Sequence, residues 1–247
     1  MSTRSAIIGY SRRGLGIAVA VMIASILFSI ALSSIAFAAA GAAFLLLAIY
    51  DRPSVLKSSH IDVFLLVWIL AVLLMVVFAT WPGSALNGSR RLLLILVVFF
   101  IPAAFPTSSA LRRFLLVLAI AAAVHSLLGI LHHFTSSEER LGYFQHYMTG
   151  GGLRMLLLLL FLPLLIDRNT PRNERVVLAA AVSLMLIALV LTMTRSSWLG
   201  FAAGAVVIGA LRYRLLLPAL AVILVIVFLA APRQYRERLS LMFTTQP

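Results

Sequence analysis

Long apolar runs separated by short polar breaks organise the whole chain. The first extends from Ile17 to Tyr50, and seven more follow at residues 62–80, 91–105, 111–133, 150–166, 176–194, 198–211 and 215–231. As a single helix the first run would be about 51 Å long at 1.5 Å per residue, against a hydrocarbon core of about 30 Å. It therefore predicts two helices with a tight break near Ser33-Ser34. None of the runs alternates as barrel strands do, and open strands cannot satisfy their backbone in lipid. Turn-forming residues stand between the runs, at Asp51-Arg52-Pro53, Trp81-Pro82-Gly83, Pro106-Thr107-Ser108 and Asn169-Thr170-Pro171. The pattern predicts an all-α, polytopic integral membrane protein with about nine transmembrane helices. They form one transmembrane domain over residues 1–247.

Composition removes the soluble alternative. Of 247 residues, 63% are apolar and 11% charged, where soluble domains average roughly 45–50% and about 25%. Arg4, Arg12 and Arg13 ahead of an apolar run, with Ala36-Phe37-Ala38 beyond, have the outline of a secretory signal. A signal core is only about 7–15 residues long, so this segment is expected to remain in the mature protein. The absence of cysteine excludes disulfides, a thiol nucleophile and Cys-ligated zinc.

Net charge is +13, and Lys57 is the one cation that is not arginine. In a soluble protein this balance suggests nucleic acid. Here the cations flank apolar runs, which is the pattern of membrane-edge charge, and no nucleic-acid partner is expected. A cytoplasmic N-terminus puts twelve of the twenty cations inside. The outer eight are Arg90, Arg91, Arg140, Arg154, Arg195, Arg233, Arg236 and Arg238. Eight is many for short outer loops, and guanidinium forks suit phosphate.

Three outer segments concentrate the polar chemistry. The first holds His132, His133, Glu138, Glu139, Arg140 and His146, then Gly150-Gly151-Gly152 with Arg154 close behind. Its spacing fits no compact metal-ligand pattern, so no metal is expected. The glycine triplet opens a helix with Arg154 in its first turn, whose free N–H groups could receive a phosphate, or it is a flexible turn. His125 shares a helical face with His132 and reads as a packed interior side chain. The second segment is Thr192-Met193-Thr194-Arg195-Ser196-Ser197-Trp198, where Arg195 either snorkels beside Trp198 or binds an anion. The third, residues 232–238, carries Arg233, Arg236 and Arg238. Arginines from three loops on one membrane face would suit a lipid headgroup or a pyrophosphate.

These segments resemble the bacterial O-antigen ligase / O-antigen polymerase family of lipid-linked glycan transferases. Arg140-Leu141-Gly142-Tyr143-Phe144-Gln145-His146-Tyr147-Met148-Thr149 is similar to that family's R-x-G-x-F-x-H-x-M-T segment. Thr192-Met193-Thr194-Arg195-Ser196-Ser197-Trp198-Leu199-Gly200 resembles its T-x-S/T-R-x-x-W-L-G motif, and Arg236-Glu237-Arg238-Leu239 the opening of its large periplasmic loop. The resemblance implies a multi-pass protein of the bacterial inner membrane. Such a protein moves a glycan from undecaprenyl pyrophosphate to an acceptor sugar, with lipid and no cofactor or metal involved. The acceptor is lipid A–core for a ligase in lipopolysaccharide assembly, or another carrier-linked unit for an O-antigen or exopolysaccharide polymerase. It further implies that Arg195, Arg236 and Arg238 bind the donor pyrophosphate, while Arg140, His146 and Arg154 shape the donor or acceptor entrance. The catalytic base is left unassigned. The family's candidate histidine would follow Pro247, so residues 1–247 alone are expected to bind donor without turning it over. A secondary transporter is the rival from another class, and a non-catalytic membrane subunit is a third reading. Transport usually needs a mid-membrane ionisable group, for which His125 is the one candidate.

Overall fold

The computed structural model describes residues 3–51, 61–136, 140–213 and 218. Every element among them is helical: α1 Thr3–Ser25, α2 Ile30–Tyr50, α3 Ile61–Val77, α4 Pro82–Ser89, α5 Leu96–Ala104, α6 Ser108–Thr135, α7 Tyr147–Ile166, α8 Arg172–Leu191 and α9 Arg195–Leu211. A 3-10 segment, Arg90–Ile95, leads into α5. Ser5–Ser25 within α1, and α2, α6, α7 and α8 throughout, are long and apolar enough to cross a membrane. The apolar helices Asp62–Val77, Leu92–Ala104 and Arg195–Leu211 are shorter. The 17 residues of α9 make about 26 Å of helix, slightly less than a hydrocarbon core. Large apolar side chains face outward, as in Phe64 at 75% and Met75 at 71% exposed on α3. Such a surface belongs in lipid, and the chain is a membrane protein. The last apolar run, residues 215–231, lies outside the described residues except for Pro218.

The chain divides into two compact units, Met1–Phe114 and Leu115–Pro247. In the first, α1 and α2 form a hairpin whose turn lies at residues 26–29, not at Ser33-Ser34. Serine chemistry accounts for the displacement. The Ser29 hydroxyl accepts from the Leu32 N–H and so caps α2. Ser33 and Ser34 lie inside α2, where their hydroxyls donate to the carbonyls of Met22 (3.0 Å) and Ile30 (2.9 Å). A serine that can return its proton to a carbonyl is tolerated in a helix and need not break it. With the turn moved back, α1 extends to Thr3 and takes in Arg12 and Arg13. At the open end of the hairpin the Arg12 guanidinium donates to Asp51 at 3.0 Å. The core of this unit sets Leu15, Val19 and Met22 of α1 against Ala36, Ala40 and Phe44 of α2 and Phe100 of α5. Ala36 and Ala40 are one turn apart, and their small side chains let the helices approach.

In the second unit α7 and α8 form another hairpin, closed by residues 167–171. The Arg175 guanidinium donates to the carbonyls of Asp167 (3.0 Å), Thr170 (3.2 Å) and Arg168 (3.4 Å). The Thr170 hydroxyl donates to Leu164 O at 2.7 Å. These side-chain bonds hold the connecting loop's carbonyls and one from the last turn of α7, adding to the backbone bond from Thr170 N–H to Asp167 O at 3.1 Å. Helix α9 lies against α7 through Gly200 and Gly204. A Cβ at Gly204 would fall 2.6 Å from Leu159 Cδ1, and one at Gly200 would overlap the Met155 sulfur. Two glycines one turn apart give the close helix approach that lipid-embedded packing relies on, because lipid supplies no hydrophobic drive between helices.

Candidate functional site

The second unit gathers the N-termini of α7 and α9 around the sequence motifs. The turn between α8 and α9 brings them together. Thr192 ends α8, and its hydroxyl donates to Leu189 O at 2.7 Å. The Trp198 indole N–H donates to that same carbonyl at 3.0 Å. Met193 then takes φ 50, the one left-handed non-glycine backbone among the described residues. This is the position after a helix C-cap where glycine is usual, and the strain costs about 1–2 kcal/mol. The Met193 side chain is buried against Leu191 and Trp198, which offsets that cost.

Thr194 precedes α9, yet its hydroxyl does not cap that helix. It donates instead to Tyr147 O at the start of α7, 3.2 Å away. The second tether is steric. A Cβ at Gly151 would lie 2.9 Å from Ser197 Oγ, 3.2 Å from Thr192 Oγ1 and 3.2 Å from Thr194 Cβ. Glycine at 151 is therefore what lets the α8–α9 turn rest on the first turns of α7. A Cβ at Gly152 would meet nothing within 4 Å. Neither possibility for the triplet holds. Helix α7 begins at Tyr147, so Gly150, Gly151 and Gly152 lie inside it and Arg154 falls beyond the first turn. The Gly150 N–H already donates to His146 O at 3.0 Å.

Residues 140–146 fold back over the same ends. The Leu141 N–H donates to Leu191 O at 3.1 Å, tying this segment to the end of α8. Its rings lie on one face of α6, Phe144 against His125 at 4.9 Å and Tyr143 against His132 at 4.1 Å. The Arg140 guanidinium covers the Tyr147 ring at 4.6 Å, a cation–π contact. His146 is exposed and stands immediately before α7, with its ring 4.1 Å from Tyr147. Its side chain makes no cap to the first N–H groups of α7.

The candidate residues thus separate by environment. Arg195 is exposed as the first residue of α9, and Ser196 is exposed beside it. Arg140 is half-buried. Arg154 is 3% exposed, and its Nε has no hydrogen-bond partner among the described residues. Its guanidinium lies in a notch left by two glycines: a Cβ at Gly150 would be 2.7 Å from Nη1, and one at Gly129 of α6 would be 3.5 Å from Nη2. An unpaired buried guanidinium costs on the order of several kcal/mol, so its retention calls for a counter-charge. Arg236 and Arg238 lie outside the described residues, as do Glu138 and Glu139. Among the described residues no three His, Asp or Glu side chains converge as metal ligands.

Neither family models, curated proteins nor solved structures match this chain. Function is therefore argued from the site itself. The sequence pointed to Arg140, His146, Arg154, Arg195 and the triplet Gly150-Gly151-Gly152 but not to Gly129 and Ser126. Ser126 is fully buried, with its hydroxyl unpartnered among the described residues. It stands three residues before Gly129 on neighbouring positions of one α6 face. Nothing in an apolar run marks which of its small residues faces a neighbour. The pair Gly200 and Gly204 was not singled out either, although its G-x-x-x-G spacing is a signal the sequence does carry.

Proposed function

We propose that this protein is a lipid-linked glycan transferase, binding an undecaprenyl-pyrophosphate donor at its outer face and passing the glycan to an acceptor sugar. The observation that carries this reading is the convergence of two uncapped helix N-termini with Arg140, Arg154 and Arg195. Helix N-termini present free N–H groups and a positive dipole end, and guanidinium forks bind phosphate oxygens bidentately. In the reaction an acceptor hydroxyl oxygen forms a bond to the anomeric carbon. The bond from that carbon to the carrier pyrophosphate breaks, and the hydroxyl proton passes to a base or water. The developing charge is on the departing pyrophosphate, where fixed positive groups lower the barrier. Arg195 serves that phosphate directly, with Arg236 and Arg238 as further contacts. Arg140 and His146 flank the entrance. In this reading the protein crosses the bacterial inner membrane about nine times with a cytoplasmic N-terminus. The acceptor is lipid A–core, making the protein an O-antigen ligase; a carrier-linked glycan would make it a polymerase.

The test is binding of undecaprenyl pyrophosphate by the detergent-purified protein, with neutral undecaprenol as reference. Wild type should prefer the pyrophosphate. Arg195→Lys should weaken that preference about tenfold, because an ammonium cannot reproduce a bidentate contact. Arg212→Lys, at the far end of α9, should leave it unchanged. Equal retention of both lipids by wild type would refute the reading.

A further inference from the structure

We infer that Arg154 is the counter-charge of an inner oxyanion site, one that takes a single phosphate group between α6 and the first turns of α7. Four observations converge on it. The side chain is 3% exposed, and its Nε has no partner among the described residues. No carboxylate among the described residues pairs with it. Two glycines on different helices, Gly129 and Gly150, leave the room its guanidinium occupies, and Leu141 closes over Gly129 with Cδ2 3.1 Å from where a Cβ would be. The helix start beside it carries no side-chain cap.

Placement explains why the charge does not belong to the membrane edge. Arg154 is the eighth residue of α7, about 10 Å along the axis from the first. Long helical side chains lean toward the N-terminus, and this one reaches back to Gly150 in the first turn. A snorkelling arginine ends in water or among headgroups. This one ends beneath Leu141, against two glycines. The neighbouring first-turn residues Met148 and Thr149 are exposed, so an anion has a route to the free N–H groups beside the guanidinium. Ser126, buried on the α6 face that carries Gly129, offers a further hydroxyl donor. Donors of this kind, shielded from water and without a competing carboxylate, select a phosphate oxyanion.

The inference deepens the donor reading and rests on it only for the source of the phosphate. The site itself requires an oxyanion from any source. The probes are inorganic pyrophosphate, undecaprenyl pyrophosphate and phosphatidylglycerol, each added to full-length protein in neutral detergent at constant ionic strength. The readout is the thermal unfolding midpoint. At least one probe should raise the wild-type midpoint saturably, and the one that does so at the lowest concentration names the source. Arg154→Met should abolish the rise, whereas Arg212→Met, at the far end of α9, should retain it. Without any probe, Arg154→Met should melt at or above wild type, since it removes a buried charge that lacks a partner. Gly150→Ala, which keeps the charge but pushes on Nη1, should blunt the response. A wild-type midpoint indifferent to all three probes would overturn the site. So would an undiminished rise in Arg154→Met, or a lower probe-free midpoint for that variant. If inorganic pyrophosphate stabilises while undecaprenyl pyrophosphate is not preferred over undecaprenol, the inner site stands and the donor reading falls.

Discussion

Gly151→Ala and Gly152→Ala change adjacent residues of one helix by the same methyl group, yet they should move stability in opposite directions. Alanine in place of glycine inside a helix gains roughly 0.5–1 kcal/mol from backbone entropy. At Gly152 a Cβ would meet nothing within 4 Å, so that gain should appear nearly in full. At Gly151 the same Cβ would lie 2.9 Å from Ser197 Oγ and 3.2 Å from both Thr192 Oγ1 and Thr194 Cβ. The serine hydroxyl can rotate aside. The other two cannot yield easily, because the Thr192 hydroxyl is held by Leu189 O at 2.7 Å and Thr194 Cβ is fixed by its own backbone. Overpacking of this kind costs about 1–3 kcal/mol, leaving Gly151→Ala destabilised by up to about 2.5 kcal/mol after the helix gain. The helix gain is common to both, so the two variants should differ by the overpacking cost alone, about 1–3 kcal/mol in unfolding free energy. Titration of the purified protein with denaturing detergent, followed by circular dichroism, measures that difference. Adding Ser197→Gly to Gly151→Ala should recover part of the loss, a coupling that a double-mutant cycle isolates. If the two single variants agree to within about 0.5 kcal/mol, the α8–α9 turn does not rest on Gly151 and the reasoning fails.

A second backbone comparison concerns Met193, whose φ of 50 suits glycine better than any branched Cβ. Met193→Gly should be more stable than Met193→Ala by about 1 kcal/mol, although both lose the buried side chain; equal stabilities would show that the turn relaxes out of the left-handed region. Topology is testable because the chain has no native cysteine. Cysteines introduced at the exposed positions Thr149 and Asn169, at opposite ends of α7, should react with membrane-impermeant reagents from opposite sides of the membrane. Thr149→Cys should be reached from outside, and labelling of Asn169→Cys from outside would invert the proposed orientation.

The chain's class was legible from its apolar runs, because a backbone in lipid must satisfy its own hydrogen bonds and helices are what such runs can form. Helix starts and ends mostly fell near the expected polar breaks, as with α7 ending at Ile166 and α9 at Leu211. The first hairpin was misread because Ser33-Ser34 has the composition of a break. Only the fold supplies the Met22 carbonyl that accepts the hydrogen bond of the Ser33 hydroxyl. The motif residues were visible too, but not the division of labour among them. Thr192 and Trp198 converge on Leu189 O and Thr194 holds Tyr147, while Arg195 is left exposed. That division depends on which carbonyls lie within reach across helices, and chain spacing carries no record of it. The burial of Arg154 was hidden for a related reason. Hydropathy treats lipid and protein interior alike, so a helix that is apolar all round does not reveal which side meets another helix. Arg154 and the two glycines that make room for it come from residues 129, 150 and 154 on two helices, and only their packing turns one more arginine of the motif region into a buried guanidinium beside a helix N-terminus.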